Sequence, residues 1–432
     1  RGFDLTFCAP KSVSLLRALD TGGVASKAVV EAHNTALGEA LEYLHTHAGY
    51  TRVHNPVSGR KDLVRLPGLV AAAYQHETSR AGDPHLHTHV LVPNKQARTD
   101  GVLVAIDSDA LWHEAKAAGI IYQTVLRQEL NASLGVEWDR VDPHSGMAEI
   151  AGVDRAVLTA ASQRSTQLSA WASKNLVVDS VGVSAAQLAR AQKATRPRKP
   201  EHRPWAELRA EWAGRFGGEL VIDEAAQQRA REQRLAAAAG AVMEWVNAAV
   251  AGIDKAAFTR ADLIEALGAA MPVTIADTDR GPRWVAETLA DAVGMRIAAE
   301  RAPHEREGHD RFTAAPIIAE EQALYELIAV RDQRAALPAE TVETVVEAAG
   351  LSADQGAAIG AIATSPWLIQ ALSAPAGAGK TTSLRALREA AHRGGKRRVL
   401  VAAPTGKAAD VALAEGAGDV GGTIAGALKA LR

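Results

Sequence analysis

Four histidines fall within one short stretch, YQHETSRAGDPHLHTHVLVPN, at positions 76, 85, 87 and 89. On a β-strand, residues two apart share a face, so His85, His87 and His89 project together. His76 lies 11 residues before His87, across the polar turn TSRAGDP. A hairpin closed by that turn lays His76 beside the same face. Imidazoles gathered in this way suit Zn, Mn, Fe or Ni. Neutral ligands leave the ion's positive charge in place, which suits a Lewis acid facing an anionic phosphodiester. An H-x-H pattern alone is common on solvated strand faces. The further histidine on the partner strand is what makes this stretch a candidate metal site.

A second stretch carries phosphate chemistry. APAGAGKTT, residues 374–382, fits [AG]-x-x-x-x-G-K-[ST], with Ala374 first, then Gly379, Lys380 and Thr381. It follows an apolar run, WLIQALSAP, read as a strand, and it opens a helix, TTSLRALREAAHRG. Backbone N–H groups from Gly377 to Lys380 cradle phosphates at the helix start. Lys380 would meet the β- and γ-phosphates, and Thr381, with Thr382 beside it, would meet a Mg²⁺ ion.

The elements that position these residues are also legible. FDLTFCAP alternates, with Phe3, Leu5 and Phe7 on one face and Asp4, Thr6 and Cys8 on the other, which predicts a strand. Pro10 ends it, and KSVSLLRAL starts a helix with Ser12 as the expected cap. ASKAVVEAHNTALGEALEYLHTHAG is a long helix, and GLVAAAYQHE and HLHTHVLVPN are two strands. EAKAAGIIYQTVLRQELNASLG is a helix stopped by glycine. From about residue 155 to 260 the pattern is helical, including one long alanine-rich helix, RAREQRLAAAAGAVMEWVNAAV. Within it, KATRPRKPEHRPW, 193–205, reads as a flexible basic segment. FTRADLIEALGAA reads as a capped helix, and RFTAAPIIAEEQALYELIA repeats its Phe-Thr lead-in.

Composition bounds the rest. The chain has 432 residues, 47% hydrophobic and 23% charged, which fits a soluble globular protein of several domains. Net charge is −2, so any nucleic-acid site must be a local patch. The single cysteine, Cys8, excludes a disulfide framework and points to a reducing cytoplasm. No apolar run of about 18 residues offers a membrane span. The chain opens without methionine and closes soon after the glycine loop, so both ends read as cut from something longer.

FDLTFCAPKSVSLL followed by HETSRAGDPHLHTHVLVPN resembles the conjugative relaxases of the TrwC/TraI type, the MobF class of HUH endonucleases. RSTQL and LRAEW are weaker echoes, and the resemblance spans roughly residues 1–215. It implies a central antiparallel sheet flanked by helices and a three-histidine site for a divalent cation. The ligands fall on His76, His87 and His89, and His85 falls where such relaxases commonly carry a non-ligand polar residue, often Gln. Asp4 matches an aspartate beside the metal site that orients a ligand histidine or helps deprotonate the nucleophile. That nucleophile is a tyrosine, which the resemblance places upstream of the DLTF strand. Tyr43, Tyr50, Tyr74, Tyr122 and Tyr325 all stand elsewhere, and each reads as a packing residue. The chain alone is therefore expected to bind metal and DNA but to be deficient in strand cleavage.

LSADQGAAI, the glycine loop and VLVAAPTGKAA resemble the first motor domain of RecD-like superfamily 1 helicases. Gln355 then matches the glutamine that reads adenine, and Thr405 and Lys407, within APTGKAA, match a motif that contacts single-stranded DNA. ATP with Mg is the implied cofactor, beside Mg, Mn or Zn in the histidine site. ATP hydrolysis by the chain alone is not expected, because the acidic Mg²⁺ motif of such motors does not follow Lys407 here. Further DNA contacts are expected at Lys11 and Ser12, at a helix N-terminus, and at Arg80 in the hairpin loop. The basic run Arg196, Arg198, Lys199 and Arg203 would track a single strand. Trp205 and Trp212, seven apart, read as core rather than as stacking platforms.

The expected fold is α/β: an α+β relaxase domain over 1–215, a helical linker and small helicase N-terminal region over 216–344, and the start of a RecA-like P-loop domain over 345–432. The implied function is metal-assisted cleavage of one DNA strand at a plasmid transfer origin, coupled to ATP-dependent unwinding. The implied partners are that single-stranded DNA, relaxosome accessory proteins and coupling proteins. Two alternatives stay open: a non-catalytic DNA-binding remnant of a mobile element, and another metal-dependent hydrolase with an accessory ATPase.

Overall fold

A computed structural model describes residues 2–175, 185–195, 203–238, 242–273, 280–305, 310–334, 336–375, 377–395 and 398–431. The chain divides into two compact units, Arg1–Ile317 and Ile318–Arg432.

The first unit opens with β1 (Gly2–Cys8), α1 (Lys11–Leu19) and α2 (Val24–Ala48). Two hairpins follow, β2 (Tyr50–His54) with β3 (Lys61–Arg65), and β4 (Ala72–Thr78) with β5 (Pro84–Pro93). A short ribbon, β6 (Lys95–Ala97) and β7 (Leu103–Ala105), leads into the long α3 (Ser108–Leu134). Then come α4 (Arg155–Ala160), α5 (Gln163–Asn175), α6 (Ala185–Ala194) and α7 (Trp205–Phe216). The unit ends with α8 (Glu224–Ala238), α9 (Val242–Ala251), α10 (Arg260–Ala270), α11 (Gly281–Val293), β8 (Met295–Arg296) and β9 (Phe312–Thr313). The long alanine-rich helix read from the sequence is thus seen as α8 and α9, on either side of residues 239–241, which lie outside the described residues.

The central sheet is antiparallel with order β1-β5-β4. Alternation in β1 sends Leu5 and Phe7 into the core, where they meet Val90 and Val92 of β5 and the packed pair α2 and α3. The opposite face of the same strands carries the polar residues. The helix ends follow their chemistry. Asp107 caps α3 by accepting from Asp109 N–H, and Gly135 closes it in the left-handed conformation at φ 68°. Thr259 and Asp262 form a reciprocal capping box on α10. That helix crosses α3 closely: a Cβ on Gly268 would stand 2.7 Å from Ile120 Cγ2. Helices α9 to α11 share the core of the first unit, which as a compact unit extends to Ile317. Their apolar faces, including Val246, Leu263, Ile264 and Leu267, are buried against it, and hydrophobic burial decides the boundary.

His33 sits buried in α2, with Nδ1 2.7 Å from Tyr122 Oη and Nε2 2.7 Å from Thr88 Oγ1. Burial pushes its pKa down to about 4. Between pH 6.5 and 4 the unfolded chain protonates this imidazole and the folded chain does not, so stability falls as pH falls through that window. The full effect is about 3 kcal/mol. Urea unfolding followed from pH 7 to pH 4.5 should show His33→Gln losing less stability than the parent over that range. Equal slopes would contradict the assignment.

The second unit contains α12 (Ala315–Ile328, which begins three residues before it), α13 (Ala339–Ala348), α14 (Ala353–Ala363) and α15 (Lys380–Arg393). It continues through β10 (Leu400–Ala403), α16 (Gly406–Ala414), β11 (Val420–Thr423) and α17 (Ile424–Leu431). Strands β10 and β11 pair in parallel around α16, a βαβ arrangement. The run WLIQALSAP does not form the expected strand. Trp367 alone bridges, to Arg331, and Leu368, Ile369 and Leu372 remain exposed. An apolar run becomes a strand only where neighbouring strands satisfy its backbone, and this one has none among the described residues.

Candidate metal centre and phosphate loop

Register builds the histidine site. β5 pairs His87 with Cys8 of β1 on one side and with His76 of β4 on the other. His89, two residues on, pairs with Thr6 and with Tyr74. The three imidazoles of His76, His87 and His89 therefore meet on one face, with ring centroids 5.2 Å apart in each pair. Each offers one nitrogen, and the three nitrogens lie within 4.8 Å of one another. His76 is exposed, on an edge strand, whereas His87 is nearly covered at 8% exposure. Burial lowers the His87 pKa, which keeps that ring neutral and able to donate a lone pair.

Two of the rings have their tautomer set by acceptors that cannot donate. His87 Nδ1 lies 2.9 Å from the backbone oxygen of His85, so Nδ1 carries the proton and Nε2 carries the lone pair. His89 Nδ1 lies 2.8 Å from the carboxylate oxygen Asp4 Oδ1, with the same consequence, and 3.1 Å from Thr6 Oγ1. This donor set fits a divalent ion, and Asp4 acts on it through His89. His85 stays out of the trio. Its ring stacks on His87 at 4.7 Å and 30°, and burial pushes its pKa down to about 3. Cys8 faces the site in the row of His87, but burial pushes its thiol up to about 11, which disfavours the thiolate a metal would need.

The hairpin is held from behind by Arg17, Asp83 and Arg215, which the sequence did not single out, and by Trp212, which it read as core. Arg17 of α1 grips Glu77, the neighbour of His76, through two bonds of 2.9 and 2.8 Å. Asp83, in the hairpin turn, is fully buried. It accepts from the backbone and side-chain amides of Gln163 at 2.9 and 2.8 Å, and from Arg215 at 3.0 Å. Trp212, one turn before Arg215 on α7, donates to Gly82 O at 2.9 Å. Trp205 and Trp212 pack edge to face in a small buried cluster, as core residues.

The expected DNA contacts divide. Ser12 is fully buried and is not the cap of α1. The Glu149 carboxylate takes that place, accepting from Lys11 N–H at 3.2 Å and Ser12 N–H at 2.7 Å. Ser12 Oγ instead accepts from Ile150 N–H, and Lys11 Nζ donates to Pro84 O at 2.7 Å. A carboxylate already occupies this helix start, so the expected phosphate contact at Lys11 and Ser12 does not fit the structure. Arg80 is exposed in the hairpin loop. Arg203 is paired with Glu211, while Arg196, Arg198 and Lys199 lie outside the described residues. Among the tyrosines, Tyr43 and Tyr122 are packed in the core, as expected. Tyr74 and Tyr325 are not packing residues: they are 54% and 70% exposed, because β4 is a sheet edge and α12 buries no residue.

In the second unit, Gly379 holds φ 73° at the start of α15, and Gly377 holds φ 78°. Gln355 completes a capping box with Ser352 and donates to Ala378 O at 2.9 Å, so it touches the glycine loop directly. A Cβ on Gly379 would meet that amide at 2.6 Å. Lys380 Nζ bonds Ala374 O and Pro375 O, both at 2.8 Å, which poises the ammonium over the loop. Thr381, Thr405 and Lys407 line one cleft of about 430 Å³, and Thr382 is exposed beside it. Thr405 also caps α16 by accepting from Ala408 N–H.

Comparison with known proteins places these features in context. A family model described as TrwC relaxase matches residues 1–217, and one described as AAA domain matches residues 350–432. A multifunctional conjugation protein TraI of Escherichia coli is 34% identical over 283 residues, covering 61% of this chain and 15% of that protein. Its counterpart in strain K12 is 35% identical over 171 residues, covering 38% of this chain and 9% of that protein. The matches therefore span only a small part of these relatives. Solved structures of the conjugative relaxase TrwC with oriT DNA are similar over 51% of this chain. A copper-bound one is 32% identical over 71% of its length, with a TM-score of 0.43. A metal-bound one is 31% identical over 73% of its length, with a TM-score of 0.44.

Proposed function

The chain belongs to the TrwC relaxase family, and on that premise we propose that it is part of a conjugative relaxase–helicase. In this reading residues 1–215 form the relaxase portion, 216–344 link it to the motor, and 345–432 begin a RecA-like ATPase. The proposed substrate is single-stranded DNA at a plasmid transfer origin, handled in the cytoplasm with relaxosome accessory and coupling proteins. The observation that carries the proposal is the convergence of His76, His87 and His89 on one sheet face, with Asp4 fixing the His89 tautomer.

A divalent ion, Mg, Mn or Zn, held by one ring nitrogen from each of His76, His87 and His89 would supply positive charge to the oxygens of the scissile phosphate. The chain's own residues do the rest. His87 and His89 present lone pairs because His85 O and Asp4 hold their Nδ1 protons. Arg80, exposed in the hairpin loop, is the proposed contact to the DNA backbone. In the cleavage step proposed for the relaxase as a whole, the oxygen of a tyrosine that is none of this chain's five would bond to phosphorus as it gives up its proton, the P–O3′ bond would break, and the 3′ oxygen would leave with a proton. Lys380, Thr381 and Thr382, with Gly377 and Gly379, are the proposed phosphate and Mg²⁺ contacts of ATP, and Gln355 the adenine contact. Thr405 and Lys407 are proposed to meet the strand being unwound.

The test is fluorescence anisotropy of a labelled single-stranded oligonucleotide of mixed sequence, with and without Mn²⁺. Binding is expected to tighten with Mn²⁺, and His87→Ala is expected to lose that gain while keeping metal-independent binding. Affinity indifferent to Mn²⁺ in the parent chain would count against the proposal.

A further inference from the structure

His85 flanks the trio without joining it. Its imidazole stacks on His87 with centroids 4.7 Å apart and planes 30° apart, while the trio's own rings meet edge to face. Its backbone oxygen is the acceptor of the His87 Nδ1 proton. One residue thus supports the same ring twice, once through its face and once through its main chain. Its own Nδ1 is buried without a hydrogen-bond partner, so no hydrogen bond at that atom accounts for the ring's placement.

The support is itself rigid. Lys11 Nζ bonds Pro84 O on one side of His85 at 2.7 Å. On the other side Leu86 N–H donates to Ser14 Oγ at 3.0 Å, and Leu86 O accepts from Ala9 N–H at 3.0 Å. The start of β5 is pinned to α1 at both neighbours of His85. A stacked ring on a pinned backbone has little room to turn, and the ring it supports is restrained with it.

We propose that His85 is a positioning residue of the three-histidine centre, holding the His87 imidazole so that its Nε2 points into the trio before any ion arrives. This rests on the metal-centre reading above. A ligand ring ordered in advance does not lose its rotamer freedom on binding, and that freedom is the cost that preorganisation removes. The stacking face, not the nitrogens, does the holding. A phenyl ring should therefore serve in its place, and a methyl group should not.

The experiment titrates Mn²⁺ into the metal-free chain, His85→Ala and His85→Phe by calorimetry, and records the visible spectrum of each with Co²⁺. Thermal melts of the metal-free proteins check that the fold is retained. His85→Ala is expected to bind Mn²⁺ roughly three- to ten-fold more weakly, the loss of one ordered side chain. Its Co²⁺ bands should shift, and His85→Phe should restore both affinity and bands. Parent-like affinity and spectrum in His85→Ala would overturn the role of His85 and leave the metal centre standing. Weakening that His85→Phe fails to restore would overturn it too, by assigning the effect to the nitrogens. If His85→Ala loses its fold, His85→Phe decides: parent-like binding supports the proposal and weakened binding overturns it. If the parent chain binds no metal, the metal-centre reading fails first, and this proposal with it.

Discussion

Asp83→Ala is expected to destabilise the first unit by about 3 kcal/mol, the lower end of what breaking a buried ion pair costs. The Asp83 carboxylate is fully buried and binds three donors, two on Gln163 and one on Arg215. Removing it strands the Gln163 backbone amide at the start of α5 and leaves Arg215 facing a void. Arg215 is 30% exposed and can turn partly to water, which is why the lower end applies. Asp83→Asn keeps a side-chain oxygen for one donor and should fall between the two. Urea unfolding measures both. A loss for Asp83→Ala below about 1 kcal/mol would show that the turn is held mainly by Trp212 on Gly82 and by Lys11 on Pro84, since such surface-like losses mark an unimportant pair. Because this turn joins the two histidine-bearing strands, the variant should also loosen the trio.

His87→Ala is expected to lower divalent-metal affinity by at least about 100-fold, beyond the ten- to hundred-fold lost when an outer partner of a metal ligand is removed. The three rings stand 5.2 Å apart in each pair, so burial rather than distance singles out His87. It is the most buried of the three and sits in the middle strand of the sheet. His76 is exposed on the edge strand β4, where water can take the place of a lost ligand, so the loss with His76→Ala should be smaller. Asp4→Ala removes an acceptor from His89 and should weaken metal less than either, because Thr6 Oγ1 remains near the same nitrogen.

The histidine site was legible because its code is local. A period of two places His85, His87 and His89 together and a turn of known chemistry brings His76 alongside, while the family resemblance set His85 apart from the trio. What supports the site was not legible, because its partners are far away in sequence. Glu149 reaches α1 across 138 positions, and Arg215 reaches Asp83 across 132. No periodicity encodes such a pairing. Ser12 shows the same limit from the other side. Its residue type suits a cap, yet a remote carboxylate occupies that role and the serine bonds Ile150 instead. The run from Trp367 reads as a strand by hydrophobicity, but strand formation depends on neighbours that a local reading does not see. In the glycine loop the positive φ of Gly379 and the bonds from Lys380 to the loop carbonyls suit the motif, while the strand expected before it is not formed.

His76, His87 and His89 are proposed to form one metal centre. Calorimetric titration of Mn²⁺ into the metal-free chain and into His87→Ala tests it most directly. One ion should bind per parent chain, with no measurable binding at that site in the variant. Equal binding by both proteins, or none by the parent, would contradict it.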